Sequence, residues 1–328
     1  MTKNIKIITT SDSGGLIDAM MEVNREFIKI GYKSSIIKIN KFKDRKIRNI
    51  KHGDNVIFQM SAYGYQKKGM PLWVVNEIKK LKDKTSSLGI FFHELFINAN
   101  IWDPRFLIRI VQIYINIKLL NYCDYWITSN SHYARWLKKN SSVSKNYICP
   151  VHSNISHKML KVKKNKHIAV IFGTEGSRIV IYKKYFNELK NWVLKNNIIL
   201  FDIGPELKNF DLYSLCKNQF NIKIMGKLSA KKIRNLFSKA SFGIFITPDW
   251  LVDKSGVMAA YSFYKICPIN LFELQDGNKK IKNKRFLKFF PDLKDKNLNI
   301  KNTIKINHKL SKKNSFNQLI KTYSKNFI

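Results

Sequence analysis

The sequence predicts an α/β protein built from two doubly wound units of similar size. Three observations carry that expectation. Short β-rich apolar runs alternate with amphipathic helical stretches up to about residue 150, a rhythm that belongs to parallel sheets flanked by helices. The rhythm stops over 153–166 (SNISHKMLKVKKNK), which is polar, basic and without period, and it restarts at 167. The chain also has 328 residues, 45% of them hydrophobic and 13% aromatic, enough for two cores and too apolar for a disordered polymer. Residues 1–153 are therefore expected as the first domain and 154–166 as a linker. Residues 167–312 are expected as the second domain, and 313–328 as a helix placed to cross back to the first.

The elements follow in order. Residues 5–9 form a strand that ends in Thr10-Ser11-Asp12-Ser13-Gly14-Gly15. Leu16, Ala19, Met20, Val23, Phe27 and Ile30 then fall at helical spacing, and Gly31 stops the helix. Strands are expected at 34–39, 55–59, 87–92, 125–128 and 147–150, with helices over 71–81, 104–121 and 131–139. In the second half, strands are expected at 167–173, 198–203, 222–225, 242–246 and 266–270. Helices there cover 182–195, 230–239, 255–264 and, at the end, 316–327. Ligands of such sheets bind outside the carboxyl ends of the strands, so a cleft between two such domains is the expected site.

Charge is the outlier: 60 Lys and Arg against 22 Asp and Glu give a formal +38. Nucleic acid, an anionic membrane or phosphorylated ligands are the partners such a balance suits. The excess is spread along the chain, however, with 25 basic and 11 acidic residues in 1–150 and 35 and 11 in 151–328. It is nearly all Lys, and Ile and Asn are overused as well, which is the mark of AT-rich codons. A nucleic-acid interface would be more local and richer in Arg. Cys123, Cys149, Cys216 and Cys267 are far apart, without a C-x-x-C pair or zinc-like His spacing, and read as buried thiols of a cytoplasmic protein. The chain enters its first strand directly, so no signal peptide is expected, and no apolar run reaches membrane-span length. The basic amphipathic stretches at 41–51 and 105–118, with the Lys-rich tail, suit either ordinary surface or the inner face of an anionic membrane.

Four segments could carry chemistry. The loop 11–15 has two glycines before a helix, room for a backbone to approach anionic or hydroxyl oxygens; it is also simply a tight strand–helix turn. His93 follows the apolar run Phe91-Phe92 at a strand's carboxyl end, where it can bond a hydroxyl, shuttle a proton, or serve as a satisfied core residue. H-E-x-x-H would suggest zinc, but position 97 is Ile. Gly173-Thr174-Glu175-Gly176-Ser177-Arg178, followed by Lys183 and Lys184, offers backbone room and cationic donors to a diphosphate. A solvated basic helix face accounts equally for at least one of the two lysines. Finally, 248–257 places Asp253 and Ser255 as caps of a coming helix, with Lys254 and Gly256 beside its N-terminus. The turn Gly204-Pro205-Glu206 is a weaker fifth.

Taken together, these segments resemble the GT-B glycosyltransferases, in particular the retaining family 4 (glycosyl transferases group 1), which includes glycogen-synthase-like and sucrose-synthase-like enzymes. The resemblance runs over most of 1–272. It rests on Gly14-Gly15 and its helix, on His93 in "GIFFHELF", and on "CDYWITSNSHYARWLKK" and "YICPVHSNI". In the second half it rests on "VIFGTEGSRIVIYKK", "ILFDIGPE", "IMGKLSAKKIRNLFSKASFGIFITP" and "DKSGVMAAYSFYKICPI", in the family's order.

The resemblance implies two Rossmann-like domains facing across a cleft, the first holding an acceptor and the second a nucleotide-diphospho-sugar. By position, Gly14, Gly15 and His93 would face the transferred sugar, and Arg178 with Lys183 or Lys184 would meet the diphosphate. Gly173 and Glu206 would lie along the donor. Gly226 and Lys227, in the loop 225–228, would lie against the base, with Asp253, Lys254, Ser255 and Gly256 near phosphates and sugar. The implied activity is transfer of a sugar to a glycan or lipid-linked acceptor in polysaccharide, lipopolysaccharide or other glycoconjugate synthesis, retaining by resemblance. No D-x-D motif is present, so no metal is expected and the donor is the only small-molecule requirement. If the course is inverting, Asp12 or His93 is the candidate base. One departure is plain: the family's two glutamates eight positions apart fall here on Asp253 and Tyr261. A non-catalytic subunit of the same shape, a GT-B-shaped epimerase or phosphorylase, and a basic nucleic-acid-binding protein are the competing expectations.

Overall fold

The computed structural model describes residues 4–10, 15–39, 47, 49–153, 155, 160–208, 219–272, 285–288, 290–294, 300–313 and 316–327. The chain divides into two compact units. One comprises Met1–Pro150 with Asn314–Ile328, and the other comprises Val151–Lys313.

The first unit holds a six-stranded parallel sheet in the order β2-β1-β3-β4-β5-β6. Its strands are β1 (Asn4–Thr10), β2 (Lys33–Ile39), β3 (Asn55–Met60), β4 (Ser87–Phe92), β5 (Tyr125–Thr128) and β6 (Asn146–Ile148). The helices are α1 (Gly15–Lys29), the single turn α2 (Ala62–Tyr65), α3 (Trp73–Lys82), α4 (Phe106–Tyr122) and α5 (Ser131–Lys139). Alternation along the strands fills both faces of the sheet. Val56, Phe58, Ile90, Phe92 and Trp126 pack under α3, α4 and α5 with Ile78, Ile115 and Leu137. Ile7, Ile57, Phe91 and Ile127 face the other way, against Val23 and Phe27 of α1.

That second face is closed by the far end of the chain. Helix α10 (Phe316–Ser324) brings Leu319, Ile320 and Tyr323, with Phe327 just beyond it, onto the same cluster. Tyr323 is fully buried, its ring 6.1 Å from Phe27 and 6.5 Å from Tyr125, and Ser87 Oγ donates to Asn326 O at 2.7 Å.

The second unit repeats the plan with five parallel strands in the order β11-β10-β7-β8-β9. These are β7 (Asn165–Phe172), β8 (Ile199–Ile203), β9 (Ile222–Ile224), β10 (Ala240–Phe245) and β11 (Cys267–Asn270). Helices α6 (Glu175–Lys195) and α9 (Ile300–Lys313) cover one face, and α7 (Ala230–Lys239) and α8 (Gly256–Phe263) the other. α9 lies in the Lys/Asn-rich stretch where the sequence pattern predicts only the final helix. Its Ile300 and Ile304 pack against the core beside Leu271, and Thr303 and Asn307 are buried. Its apolar positions fall on one face of the helix, but the Lys- and Asn-rich composition lowers its overall apolarity and hides it from the sequence pattern. Cys123, Cys149 and Cys267 are buried free thiols, and burial pushes the thiol pKa of Cys123 and of Cys267 up to about 12. Cys216 lies outside the described residues, and no described helix is long and apolar enough to cross a membrane.

Lys164 marks the entry to this unit. Its ammonium donates to Phe237 O and Ala240 O at 2.8 Å each, at the end of α7. Burial, with the Lys265 charge nearby, lowers its pKa to about 7. Below about 7 the amine is protonated folded and unfolded alike. Between about 7 and its ordinary 10.5 the unfolded chain binds a proton that the folded chain does not, so stability rises with pH across that window. The Tm of the protein is expected to show that rise, and Lys164→Met to lose it; an unchanged slope in the variant contradicts the assignment.

Candidate functional site

In the second unit the chain passes from β7 outward to β8 and β9, then returns to place β10 on the other side of β7. The reversal between β7 and β10 is where doubly wound sheets open a crevice at their carboxyl ends. Three glycines close the strands there: Gly173 after β7 (φ 157°), Gly204 after β8 (φ 156°) and Gly226 after β9 (φ 62°). Gly204 N donates to Gly226 O at 3.0 Å, and Gly173 N to Ile203 O at 3.3 Å. A Cβ on Gly204 would stand 2.3 Å from Gly173 O and 2.7 Å from Arg178 Nε, so both conformation and space require glycine there.

Two helices start at this edge. Gly173 sits against Ser177 of α6 on one side and Val257 of α8 on the other, where its missing Cβ would be 4.0 Å from Val257 Cγ2. The first intrahelical bond of α6 runs from Arg178 N to Thr174 O at 3.2 Å, so the N–H groups of Glu175, Gly176 and Ser177 precede it. In α8, Ser255 caps as the sequence suggests, its Oγ accepting from Met258 N at 3.2 Å, which leaves Gly256 and Val257 N–H ahead of the ladder. Gly176 and Gly256 are exposed, and a Cβ on either would meet nothing within 4 Å. Two helix N-termini, each with positive partial charge, thus open beside each other on glycine-rich backbone.

The sequence pattern predicts a glycine-rich loop through Arg178, but the structure winds this segment into α6 from Glu175. Gly176 costs little in a first turn, and Glu175, at the positive end of the helix, accepts from Lys208 N at 2.7 Å. Arg178 consequently points inward. It is 1% exposed, and its Nη1 donates to Asp202 Oδ1 in a buried ion pair, with Tyr182 OH donating to Asp202 Oδ2 at 2.7 Å. Its Nε and Nη2 are buried without a hydrogen-bond partner. Burial pushes the Asp202 carboxyl above its ordinary range, against the pull of Arg178 and Tyr182. Arg178 therefore lies beneath the Gly173 and Gly204 loops, not at their surface. The one local signal for this pair in the sequence is a lone carboxylate, Asp202, inside the apolar run Ile199–Ile203.

The other candidates divide. Lys183 and Lys184 are exposed on α6 eight and nine residues beyond Glu175, about 12 Å along the helix, and Lys184 Nζ lies 5.3 Å over the Tyr185 ring. The structure does not bring them to the helix N-termini. Lys227 and Glu206 are exposed on the loops after β9 and β8, at the edge itself. Asp253 and Lys254 end the 3-10 segment Asp249–Lys254 that leads into α8. Asp253 Oδ1 accepts from Arg285 Nη1 at 2.6 Å, and Asp249 Oδ1 from Lys288 Nζ at 2.5 Å, so the tail of the unit neutralises both carboxylates. Tyr261 is fully buried, its hydroxyl donating to Ile244 O at 3.1 Å and its ring filling the space that Gly243 leaves empty. The second glutamate position of the resembled family is core in this chain.

In the first unit, Gly15 opens α1, while Asp12 and Gly14 lie outside the described residues. His93 leaves β4 at its carboxyl end, half-buried, its N–H donating to Met60 O at 3.1 Å and its ring 6.2 Å from that of Phe91. Phe92 pairs with Thr128, so His93 and Ser129 emerge side by side. Ser129 Oγ and Asn130 Nδ2 are buried there without partners, although Asn130 Oδ1 caps α5 by accepting from Tyr133 N at 2.8 Å. These buried polar atoms lie beside His93 at this edge, within a segment whose local pattern reads only as a strand followed by a capped helix.

No protein-family model matches the sequence, and no curated protein matches it either. Solved structures do. The Glycosylation Associate Protein (Gap123) complex of Streptococcus agalactiae aligns at 13% identity over 85% of this chain, with a TM-score of 0.54. The chain spans 56% of that protein's length. A Listeria monocytogenes protein named as a UDP-N-acetylglucosamine 2-epimerase aligns at 11% identity over 95% of this chain and 91% of its own, with a TM-score of 0.56. At such identities the likeness is one of fold, and the fold is the pair of parallel α/β units of GT-B proteins.

Proposed function

We propose that this chain is a GT-B glycosyltransferase that binds a nucleotide-diphospho-sugar at the carboxyl edge of its second unit. It passes the sugar to a glycan or lipid-linked acceptor in glycoconjugate synthesis. The observation that carries this reading is the meeting of two helix N-termini, α6 and α8, over the glycines that close β7, β8 and β9. Free N–H groups and helix dipoles in that arrangement suit the two negative charges of a diphosphate and of the diphosphate that departs. Lys227 and Lys254 add cations at the edge, and the buried Arg178–Asp202 pair supports the glycine turns from below. On this reading the basic groups and dipoles stabilise the leaving group without a divalent ion. The retaining course is carried over from the family resemblance.

A non-catalytic subunit of the same fold is the second reading, favoured by Tyr261 in the core and by the engagement of Asp253 with Arg285. Where the resembled family's second glutamate would bind a ribose this chain has a buried tyrosine, and the Asp253 carboxylate is already paired.

Thermal stabilisation by UDP, GDP, ADP, CMP and their sugars tests both. One nucleotide family is expected to add about 2.7 kcal/mol at a hundred times its Kd. Gly256→Asp is the discriminating variant: its side chain meets open space and its charge suits a helix N-terminus, so the unliganded protein should stay as stable. The same charge should abolish the nucleotide shift. No shift with any nucleotide at millimolar concentration overturns the donor site, and a shift without turnover of any donor supports the non-catalytic subunit.

A further inference from the structure

The first unit carries an apolar face that its own core does not use. The loop from His93 to Arg105 exposes Ile101 (65%) and Trp102 (87%), and α4 continues the surface with Leu107 (71%), Ile110 and Tyr114. Leu107, Ile110 and Tyr114 fall at i, i+3 and i+7, one stripe of the helix, while Ile115 and Leu119 occupy the buried side. A helix that is apolar on both sides has one face still to cover, and exposed aliphatic and aromatic side chains grouped this way mark an interaction surface.

The surroundings identify what fits. Arg105, Arg109 and Lys118 lie on the same helix or at its start, and Lys67 and Lys68 lie on the neighbouring segment. That segment is tied to α4 where Gln112 Nε2 donates to Gly69 O at 3.0 Å. The acid within the stripe, Asp103, is held in a two-pronged pair with Arg105, which keeps its carboxyl pKa down at about 2. Arg109 donates to Ala99 O at 2.5 Å and stacks over Phe96, and Lys118 lies 5.6 Å from the Tyr114 ring, so these cations flank the apolar residues. A Trp-tipped apolar stripe rimmed by Lys and Arg has the chemistry of the boundary between headgroups and acyl chains of an anionic bilayer.

We propose that this face, centred on Trp102, Leu107 and Ile110, docks the protein on an anionic lipid bilayer. The topology gives the docking a direction. The loop begins at His93, and a helix following a parallel strand starts at that strand's carboxyl end, so the apolar stripe lies at the same edge of the sheet as His93, Ser129 and Asn130. A bilayer held there would present a lipid-linked acceptor to that edge; this last step rests on the proposed function, whereas the docking does not.

The test is co-sedimentation of the full chain with phosphatidylcholine vesicles, with and without phosphatidylglycerol, over a range of salt. Binding is expected only with phosphatidylglycerol and should weaken as salt rises. Quenching by brominated phosphatidylglycerol should fall in Trp102→Phe while binding remains. Trp102→Ser with Leu107→Ser should lower the bound fraction at least about tenfold without lowering Tm, since both side chains are exposed. Equal binding of parent and double variant overturns the proposal, because the general positive charge would then be the cause. Absence of binding at low salt overturns it too. A dimer in light scattering that the same substitutions dissolve assigns the face to a second copy instead. Nucleotide stabilisation measured on the same protein keeps these outcomes separate from failure of the donor site.

Discussion

Asp202→Asn is expected to cost the second unit about 3–5 kcal/mol, lowering its Tm by on the order of 10 °C. The variant keeps size and shape but leaves the Arg178 guanidinium, 1% exposed, without its counter-charge. Two of the donors of Arg178 already lack partners, so nothing nearby takes up the lost bond. The converse experiment separates the value of the pair from the penalty of breaking it. Arg178→Met with Asp202→Leu and Tyr182→Phe replaces the whole network by apolar side chains and is expected to recover most of the loss. If the nucleotide shift then disappears in a protein that melts normally, the Arg178–Asp202 pair acts on the donor site from beneath through its support of Gly204. If Asp202→Asn melts like the parent, the pair is not buried in the way described.

Deletion of residues 314–328 is expected to unfold the first unit while the second still melts cooperatively. Leu319, Ile320, Tyr323 and Phe327 are all buried against Phe27, Tyr125 and Ile57. Losing four such side chains, at about 2–5 kcal/mol each, matches or exceeds the whole stability of an ordinary domain. Limited proteolysis should cut within 1–150 in the deletion protein, and a peptide covering 314–328 should restore protection. Protection without the peptide would mean that α10 merely rests on the sheet. Tyr323→Phe is a finer probe. The Tyr323 hydroxyl is buried without a partner, and burial holds its pKa far above the usual tyrosine value, so removing it should be neutral or mildly stabilising.

Much of the architecture was legible because it is written in local periodicity. The sequence pattern gives 87–92 and 131–139 the bounds that β4 and α5 have, since an apolar run or a capped amphipathic helix declares itself without help from the rest of the chain. Ser255 as a cap was legible for the same reason, because capping acts over three residues. The segment 173–181 reads locally as a loop, because two glycines, a Thr and a Ser are turn chemistry. Packing of Arg178, Ile181 and Tyr182 on the sheet instead holds those residues in a helix. The short helix α2 carries too little periodicity to be seen alone, and the amphipathic face of α9 is overshadowed by its Lys- and Asn-rich composition.

The sequence by itself thus determined two α/β units, their strands, their glycine-closed carboxyl ends and the resemblance to glycosyltransferases, since each follows from near-neighbour pattern. Only the tertiary structure decided which charges are spent. Arg178 turned inward to Asp202, Asp253 was taken by Arg285, and Tyr261 sank into the core against Gly243. It also set Val257 beside Gly173, and left Trp102 and Leu107 outside the core. Those outcomes depend on partners 18 to 84 positions away, and a side chain's own neighbours carry no record of what folding will place against it.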